Sequence, residues 1–541
     1  MAFTLKSPSF VQFILHLARL ILLSCIAAII WSYVRMLRQR RTLPPGPFPF
    51  PIVGNVLQLA SSKPWLQFKA WSEEYKNPLI TVWIGRTPTV ICNDAWTAHE
   101  LMEKRSQIYS SRPRYVVFGE VTGQHERNQV LLPYNDKWRL QRRVMHSALN
   151  SQVVRGYRSF QADESRVLMC DILDDPINFA HHFERYAASL VSILGWGRRI
   201  KSQDDYILKF AIKMMEEVTT MQIPGKFWME AIPELQCLPS WIYPLPSQLK
   251  SFGDRLRKFW WALDLEAAAR PGSNFSKTLV ERKEEEALTK DDIGEMTANL
   301  IGGGLDTTSS TLHTLVLGLC LFPQALESAH RELDLVVGQG RAPDWDDLDR
   351  LPYCQAVLKE AMRWRSVTTL GGFAHAPIKD DQYLDYHFPA GIHIYGNLWA
   401  IHSNARDFPD PDSFRPERYL DEKRPYPTKT GHHAFGWGRR SCSGQFFAEQ
   451  GLSLTVARLL WAFNIQPGLD DQANHGFKGN EIKLDAWAYT DYENTQPLPF
   501  KARFTPRTEG IEKRLRDDAR AAMERLEAYN YTSQVTLESL E

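Results

Sequence analysis

The segment HHAFGWGRRSCSG, residues 432–444, restricts what this chain can fold into more than any other stretch. It places one cysteine, Cys442, among glycines, arginines and aromatic residues, immediately before a predicted helix. Five positions follow the pattern FxxGxRxCxG, which arises by chance in 541 residues with a probability on the order of 10⁻⁴. A cysteine at a helix N-terminus near arginines is expected to have a lowered pKa. The segment therefore predicts an anionic sulfur ligand.

Composition narrows the classes of protein to which the chain can belong. The seven cysteines are scattered, odd in number and without a CxxC pair, which argues against a disulfide framework and against a zinc site. The 64 basic and 63 acidic residues leave a net charge of +1, so charge gives no reason to expect a nucleic-acid partner. The 44% of hydrophobic residues are sufficient for a large buried core.

An apolar segment near the N-terminus predicts a membrane anchor over residues 10–34, because a spanning helix needs roughly 20 apolar residues. Four arginines follow this segment, whereas Lys6 stands almost alone before it. The positive-inside rule then makes residues 1–9 lumenal and the body cytosolic. A cleaved secretory signal is the alternative, but its basic flank would precede the apolar segment.

The remaining chain divides by composition into three parts. Residues 35–55 are basic and proline-rich and are expected to form a stiff hinge. Residues 56–510 are expected to form one large, mainly helical domain. Residues 511–541 predict a charged amphipathic helix and tail that lie at the periphery.

A long helix predicted near the centre of the chain contains residues that helices usually avoid. Gly302, Gly303 and Gly304 lie in its middle, and each is less favourable than alanine by up to ~1 kcal/mol. Asp306 and Thr307 follow, and such side chains compete for backbone hydrogen bonds. Two interpretations stay open: a large flat ligand lies against the helix, or Thr307 bonds back to the Gly303 carbonyl and bends it.

A glutamate and two arginines form a possible buried brace. Glu360 and Arg363 are three positions apart on a predicted helix and share a face. An exposed pair of this kind contributes under ~1 kcal/mol, so the pair alone is better explained as solvated surface. Arg418 lies in a turn within SFRPERYL, and a glutamate with two arginine partners is expected only where all three are buried.

Together these features indicate a haem protein, because a thiolate beside glycines suits iron in a planar porphyrin. The motifs resemble the cytochrome P-450 family, from the anchor to about residue 507. The resemblance implies a mainly α fold with small β-sheets, preceded by one transmembrane helix. It implies haem b (iron protoporphyrin IX) as the cofactor, with Cys442 as the axial ligand of the iron. The segments EKRSQIYSSRPR and AIHSNARDFPDPDSFRPERYLDE are similar to those of fungal members that modify secondary metabolites.

The resemblance also implies roles for the other motif residues. Asp306 and Thr307 match the segment that supports oxygen activation. Glu360, Arg363 and Arg418 match the family's structural brace. The residues expected to hold the haem are Trp138, Arg142, His375, Phe435, Gly438, Arg440 and Gly444.

The implied activity is insertion of one oxygen atom from O₂ into an apolar small molecule, at the endoplasmic reticulum membrane. No flavin or nicotinamide motif is evident, since GGGLDT lies within a helix and follows no strand. The expected partners are therefore an NADPH-dependent flavoprotein reductase, with cytochrome b5 as a further donor, besides O₂, substrate and membrane. The expected reductase surface comprises Arg139, Arg143, Lys423 and Arg424. The expected substrate pocket comprises residues 112–136, 302–306, 366–373 and 485–491.

Two alternatives remain open from the sequence. One is a haem-thiolate enzyme that rearranges a peroxide or couples phenols without net oxygen insertion, although Asp306 and Thr307 favour oxygen activation. The other is a non-catalytic, membrane-tethered protein that binds haem or a ligand. The sequence does not choose among terpenoid, polyketide and indole alkaloid substrates.

Overall fold

The structure, a computed structural model, describes residues 8–421, 424–470 and 479–540. Within these residues the α-helices are α1 (Pro8–Arg40), α2 (Pro64–Glu74), α3 (Ala95–Ala98), α4 (Ser106–Tyr109), α5 (Asp136–Leu149), α6 (Arg158–Asp174), α7 (Phe179–Trp196), α8 (Tyr206–Met221), α9 (Trp228–Ala231), α10 (Leu245–Ala268), α11 (Phe275–Glu281), α12 (Lys290–Leu321), α13 (Pro323–Val336), α14 (Pro352–Trp364), α15 (Leu398–His402), α16 (Gln445–Ala462) and α17 (Glu509–Leu526). The strands are β1 (Leu79–Ile84), β2 (Thr87–Cys92), β3 (Asp381–Tyr383), β4 (Tyr386–Phe388), β5 (His393–Gly396), β6 (Phe463–Pro467) and β7 (Ala502–Pro506).

Small sheets flank a mainly helical body, as the sequence predicts. In the three-stranded sheet, β1 pairs antiparallel with β2, and β2 pairs parallel with β5. Two antiparallel pairs, β3 with β4 and β6 with β7, complete the strands of the described residues. Each sheet is too small to form a core by itself, so the helices supply most of the buried apolar surface.

Helix α12 forms the centre of the body. Its first turn is fixed by a capping box, in which Thr289 and Asp292 each accept a hydrogen bond from the other's backbone N–H. The helix then packs against α7, α10 and α14, and most of its side chains are buried. Residues in its middle line a mostly apolar cavity inside the body, which is described below as the main cavity.

The N-terminal helix α1 is longer than the predicted anchor. It continues past residue 34 to Arg40, so the first six residues of the predicted hinge are helical. Its stretch from Gln12 to Arg40 is long and apolar enough to cross a membrane, and its most apolar window is not buried against the protein. Of the predicted lumenal end, residues 1–7 lie outside the described residues.

The proline-rich hinge is fixed to the body. Met36 and Leu43 are each only 4% exposed and belong to the cluster beneath β1 and β5. The Arg40 guanidinium donates to the Gly46 carbonyl at 3.0 Å. A Cβ on Gly46 would lie 2.0 Å from the Thr81 carbonyl oxygen, so only glycine allows this close approach to β1.

The C-terminal helix α17 is amphipathic, as the sequence predicts, and its apolar face is part of the core. Its apolar face, with Ile511, Leu515 and Leu526, is buried against α6 in the main core cluster. Arg525 adds two hydrogen bonds to Asp163 of α6, at 2.6 and 2.9 Å. The charged residues that dominate its sequence occupy the outer face, and the narrower apolar stripe determines where it packs.

Candidate active site

The main cavity of the described residues lies where the cysteine loop, α5, α7, α12 and α16 meet. Its volume is about 350 Å³ and its wall is mostly apolar. The segment that follows α14 closes one side of the cavity. The cysteine loop of residues 432–444 closes another, so the motif around Cys442 lies at the wall of the cavity.

Cys442 presents its thiol to this cavity just before the first turn of α16. Its backbone N–H donates to the Phe435 carbonyl at 2.9 Å and closes the loop. Burial raises the pKa of the thiol, while the N–H groups of Gly444 and Gln445 and the charge of Arg142 lower it. The predicted lowering of the pKa by the protein alone is therefore wrong, because desolvation outweighs the helix terminus. Coordination by a metal would deprotonate the sulfur.

Three guanidinium groups line the same cavity, on Arg112, Arg142 and Arg440. Arg440 donates to the carbonyls of Ser110, Gln129 and Leu132, at 2.6–3.0 Å. Among the described residues, none of the three arginines forms an ion pair with a carboxylate. Desolvation, followed by repulsion from Arg112 and Arg142, lowers the pKa of Arg440 to about 7. Three desolvated cations without a counterion in that part of the chain indicate that an anion belongs in this cavity.

Sequence reasoning placed Arg112 only within the expected substrate stretch 112–136 and gave it no role toward the cofactor. Its guanidinium donates to the Val130 and Ala374 carbonyls at 2.8 and 2.9 Å, and so crosses from one wall of the cavity to another. Its only sequence signal is an arginine before a proline in a predicted loop, which is more often exposed to solvent. Only the fold brings it beside Arg142 and Arg440.

Trp138 and His375 complete this basic wall. The Trp138 ring lies 4.4 Å from the Arg440 guanidinium carbon, within range of a cation–π contact. His375 Nδ1 lies 2.8 Å from the Tyr109 carbonyl oxygen, and burial holds the pKa of His375 well below its usual value. A carboxylate in the cavity would favour the protonated ring.

The residues of this cavity fit haem b. Trp138, His375 and the three arginines would hold its two propionates, and the charge of the propionates would match the guanidinium groups. Cys442 would bind the iron. Phe435 and Gly444 also line the cavity as predicted, and a Cβ on Gly444 would lie 3.9 Å from the Cys442 sulfur.

Gly438 does not line the cavity, so the structure gives it a different role from the predicted contact with the cofactor. Its φ is +54°, and a Cβ there would lie 2.4 Å from the Met102 carbonyl oxygen. Its N–H donates to the Glu103 carboxylate at 2.5 Å. Glycine at this position lets the cysteine loop pack against residues 102–106.

The three central glycines of α12 differ in what surrounds them. Gly303 faces the cavity, and a Cβ there would meet nothing within 4 Å. A Cβ on Gly304 would lie 2.3 Å from a Val191 methyl of α7, and one on Gly302 would lie 3.0 Å from the Met215 sulfur of α8. Helix packing therefore explains two of the glycines, and space for a ligand explains the third.

Asp306 and Thr307 face different cavities. Thr307 lines the main cavity, and its hydroxyl donates back to the Gly303 carbonyl at 2.6 Å, as one interpretation of the sequence predicts. Asp306 lines a separate cavity of about 20 Å³, enough for about one water molecule. Its carboxylate accepts a hydrogen bond of 2.8 Å from Asn494.

This second cavity is acidic. Glu184 of α7 and Glu216 of α8 line it together with Asp306. Burial raises the pKa of Asp306 to about 6, the Asn494 hydrogen bond lowers it, and the charges of Glu184 and Glu216 raise it further. A carboxyl with this pKa exchanges protons near neutral pH.

The predicted brace is present and buried. Arg363 donates two hydrogen bonds of 2.8 Å to Glu360, and Arg418 donates a third of 3.1 Å. Glu360 and Arg363 are 0% and 1% exposed. Arg363 also donates to the His402 carbonyl at 2.9 Å, which joins the brace to α15.

Three of the four predicted substrate regions line the main cavity, through residues of the stretches 112–136, 302–306 and 366–373. Residues 485–491 do not line it, and that part of the prediction is wrong. Helix α7 takes their place, because Leu190, Val191 and Leu194 form an apolar patch of the wall. The next few residues, 493–495, instead support the wall from behind.

Comparisons with known proteins agree with this geometry. A family model described as cytochrome P450 matches residues 44–480. Cytochrome P450 monooxygenase virE of Hypocrea virens is 31% identical over 501 residues, which are 90% of this chain and 89% of the relative. Echilunin cytochrome P450 monooxygenase of Aspergillus ruber is 35% identical over 454 residues, 81% and 80% of the two chains. Cytochrome P450 monooxygenase FrzL of Cladobotryum sp is 32% identical over 487 residues, 88% and 90% of the two chains.

Proposed function

Since the chain belongs to the cytochrome P450 family, we propose that it inserts one oxygen atom from O₂ into an apolar small molecule, as a tailoring step of fungal secondary metabolism. The observation that carries this function is Cys442 at the N-terminus of α16, in a mostly apolar cavity that three guanidinium groups also line. Bound haem b supplies the oxidising chemistry at this site. The protein contributes the sulfur ligand, the basic wall and an apolar pocket that excludes water.

The first test is the visible spectrum of the reduced protein with bound carbon monoxide, for the wild type and for Cys442→Ser. Ligation by the thiolate predicts a strongly red-shifted Soret band in the wild type and no such band in the variant. An unshifted band in the wild type would overturn the assignment of Cys442.

The second test measures turnover with and without O₂ and reductase. Conversion of a peroxide substrate without either would favour an isomerase or coupling enzyme.

Proton delivery is assigned to Asp306 and Thr307. Asp306 takes up a proton in the acidic cavity that it shares with Glu184 and Glu216. Release from Asn494 and rotation of the Asp306 side chain would carry this proton toward the main cavity, where Thr307 Oγ1 accepts it and gives up its own proton from the bond to Gly303. Support comes from the position of the two residues on α12, next to each other in sequence but lining different cavities. Asn494 holds the Asp306 carboxylate in the acidic cavity by its hydrogen bond of 2.8 Å.

The electron donor is an NADPH-dependent flavoprotein reductase, with cytochrome b5 as a second donor, that docks on the surface outside the cysteine loop. Arg139 and Arg143 are exposed there, and Arg439 lies beside Arg139 at the Tyr134 ring. Arg424 is not part of this surface, because it donates to the Asp407 and Gly431 carbonyls inside the protein. Lys423, also expected there, lies outside the described residues.

The membrane is that of the endoplasmic reticulum, with the body on the cytosolic side. Besides α1, the loop between α8 and α10 exposes large apolar side chains, among them Trp241 at 83% exposure and Ile242. This loop contacts the start of the body, since Gly225 approaches Leu59 closely. Helix α1 and the apolar side chains of this loop fit a face of the protein that rests on the bilayer. Apolar substrates would enter the protein from the bilayer at this face.

A further inference from the structure

Glu493 is a buried carboxylate to which the sequence analysis gives no role. It is 1% exposed and lies in the loop that precedes β7. Carboxylates are almost never fully buried unless charged or hydrogen-bonded partners compensate for lost hydration. The partners of Glu493 therefore indicate what this residue does.

All of these partners lie on one segment, residues 366–373, which we call the wall segment. Glu493 Oε2 accepts hydrogen bonds from the Thr369 hydroxyl at 2.6 Å and from the N–H groups of Thr369 and Leu370 at 3.0 Å. Glu493 Oε1 accepts from the Gly372 N–H at 2.7 Å. One carboxylate thus accepts hydrogen bonds from four donors that belong to a single stretch of chain.

The main chain reinforces this attachment. The Thr369 N–H also points to the Glu493 carbonyl at 3.0 Å, and the Thr495 N–H donates to the Val367 carbonyl at 2.7 Å. Thr368 and Asn494 face each other as an isolated antiparallel bridge. Residues 493–495 therefore support the wall segment from the side away from the cavity.

The wall segment needs such support because its backbone is irregular. Gly371 and Gly372 have φ of +74° and +79°, so two successive residues adopt the left-handed region. A turn of this kind points neighbouring N–H groups toward one place, where an anion satisfies them. Burial raises the pKa of the Glu493 carboxyl to about 7, and the donated hydrogen bonds lower it. These hydrogen bonds compensate the Glu493 carboxylate for the hydration that it loses on burial.

The wall segment forms one side of the main cavity. Val367, Thr368 and Phe373 line it, as do both glycines. We propose that Glu493 is a positioning residue that fixes the wall segment, and thereby determines which molecules the cavity accepts and in what orientation. This inference rests on the proposed function, in that the cavity receives the substrate beside the haem.

The decisive substitution is Glu493→Gln, which retains the size and shape of the side chain. The amide has one acceptor oxygen, and its NH₂ group must face N–H donors at either the Thr369–Leu370 end or the Gly372 end. Two donors facing each other repel, so the wall segment moves while the rest of the fold stays. The matched control is Asp264→Asn. Asp264 is equally buried and has three hydrogen-bond donors, but they lie on Trp196, Ser276 and Thr297, away from the wall segment.

The measurement compares two probes in the full-length, haem-loaded protein in detergent. Imidazole is small and reports mainly on access to the iron, whereas 4-phenylimidazole carries a ring that must fit against the cavity wall. Glu493→Gln should change the ratio of the two dissociation constants by about fivefold or more. Imidazole affinity alone should change less than about twofold. The control variant should leave the ratio unchanged. An unchanged ratio in Glu493→Gln would overturn the proposal.

A second readout does not depend on the haem chemistry. Hydrogen–deuterium exchange of peptides that cover residues 366–373 should become faster in Glu493→Gln and stay unchanged in Asp264→Asn. If Glu493→Gln does not fold, Thr369→Val removes the hydroxyl donor with little change in volume, and should shift the probe ratio and the exchange in the same direction. Unchanged exchange in the folded variants would refute the role of Glu493. If the wild type shows no red-shifted carbon monoxide band, the proposed function is refuted instead.

Discussion

Asp306 carries a carboxyl whose pKa is raised toward neutral pH. Its pKa of about 6 results from burial and from the charges of Glu184 and Glu216, which together outweigh the hydrogen bond from Asn494. Below pH 6 the group is mostly protonated and can donate, and above pH 6 it is mostly ionised. Proton delivery through this carboxyl should therefore become faster as the pH falls toward 6.

Replacement of Asp306 by asparagine should slow reductase-driven NADPH consumption by roughly 10²-fold, because an amide cannot carry the proton. The wild-type rate should rise as the pH falls from 8 to 6, and the rate of the variant should be flat. Asp291→Asn, on the first turn of the same helix, is the control and should behave like the wild type. The same pH profile in Asp306→Asn and the wild type would show that protons reach the cavity by another route.

The buried brace should be sensitive to the loss of one partner. Arg363→Leu leaves Glu360 charged and buried with Arg418 alone, and should lower the free energy of unfolding by about 3–5 kcal/mol. The measurement is a urea titration of the haem-loaded protein, followed by the carbon monoxide band. Arg282→Leu removes an exposed pair with the same three-residue spacing to Glu285, and should lower it by under about 1 kcal/mol. Equal losses in the two variants would contradict a buried brace.

At the scale of single residues, the sequence was sufficient to predict residues that belong to a motif with a fixed spacing along the chain. Cys442 and the Glu360–Arg363 pair are recognisable because their neighbours in the chain are also their neighbours in space. Arg112 and Glu493 are not recognisable in this way, because Arg112 bonds to Ala374 and Glu493 bonds to Thr369, each more than 100 residues away in the chain. The pKa of Cys442 was also beyond sequence reasoning, since desolvation depends on what covers the loop.

At the scale of secondary-structure elements, α17 shows how a charged sequence can form part of a core. Its buried positions are Ile511, Leu515, Ala519, Ala522 and Leu526, which follow the spacing of one helix face. The same stripe is visible in the sequence, but the surrounding arginines and acidic residues outnumber it. The existence of the helix was predictable, and its contact with α6 was not.

Leu515→Ala should lower the free energy of unfolding by about 2–5 kcal/mol, because the side chain is 4% exposed and its loss leaves a cavity against α6. Met523 lies on the outer face of the same helix at 43% exposure, and Met523→Ala should have little effect. Urea titration of both variants checks this prediction. A small effect for Leu515→Ala would mean that α17 does not stabilise the body.

At the scale of the whole molecule, the anchor and the body are joined by a fixed connection. The last turns of α1 and the proline-rich stretch pack on the body through Met36 and Leu43. The apolar part of α1 that precedes them is exposed, for example at Trp31 with 67% exposure. The position of α1 relative to the body is therefore set by contacts as well as by a linker.

Two truncations should separate anchoring from folding. Removal of residues 1–31 should release the protein from membranes on alkaline carbonate extraction and leave the carbon monoxide band intact, because it removes exposed apolar side chains. Removal of residues 1–46 also deletes Met36, Leu43 and the Arg40–Gly46 hydrogen bond, and should lower the temperature at which half of the band is lost. Equal thermal stability of the two truncated forms would contradict a connection that stabilises the body.

The position of Asp306 and Thr307 on opposite cavities has a consequence for substrate range. Because α12 separates them, the small cavity beside Asp306 and the main cavity beside Thr307 do not share volume. Under the proposed function, a bulky, rigid molecule would fill the main cavity without entering the acidic cavity beside Asp306. We therefore expect substitutions in the wall of the main cavity, other than at Thr307, to change the shape of that cavity and to leave the surroundings of Asp306 as they are.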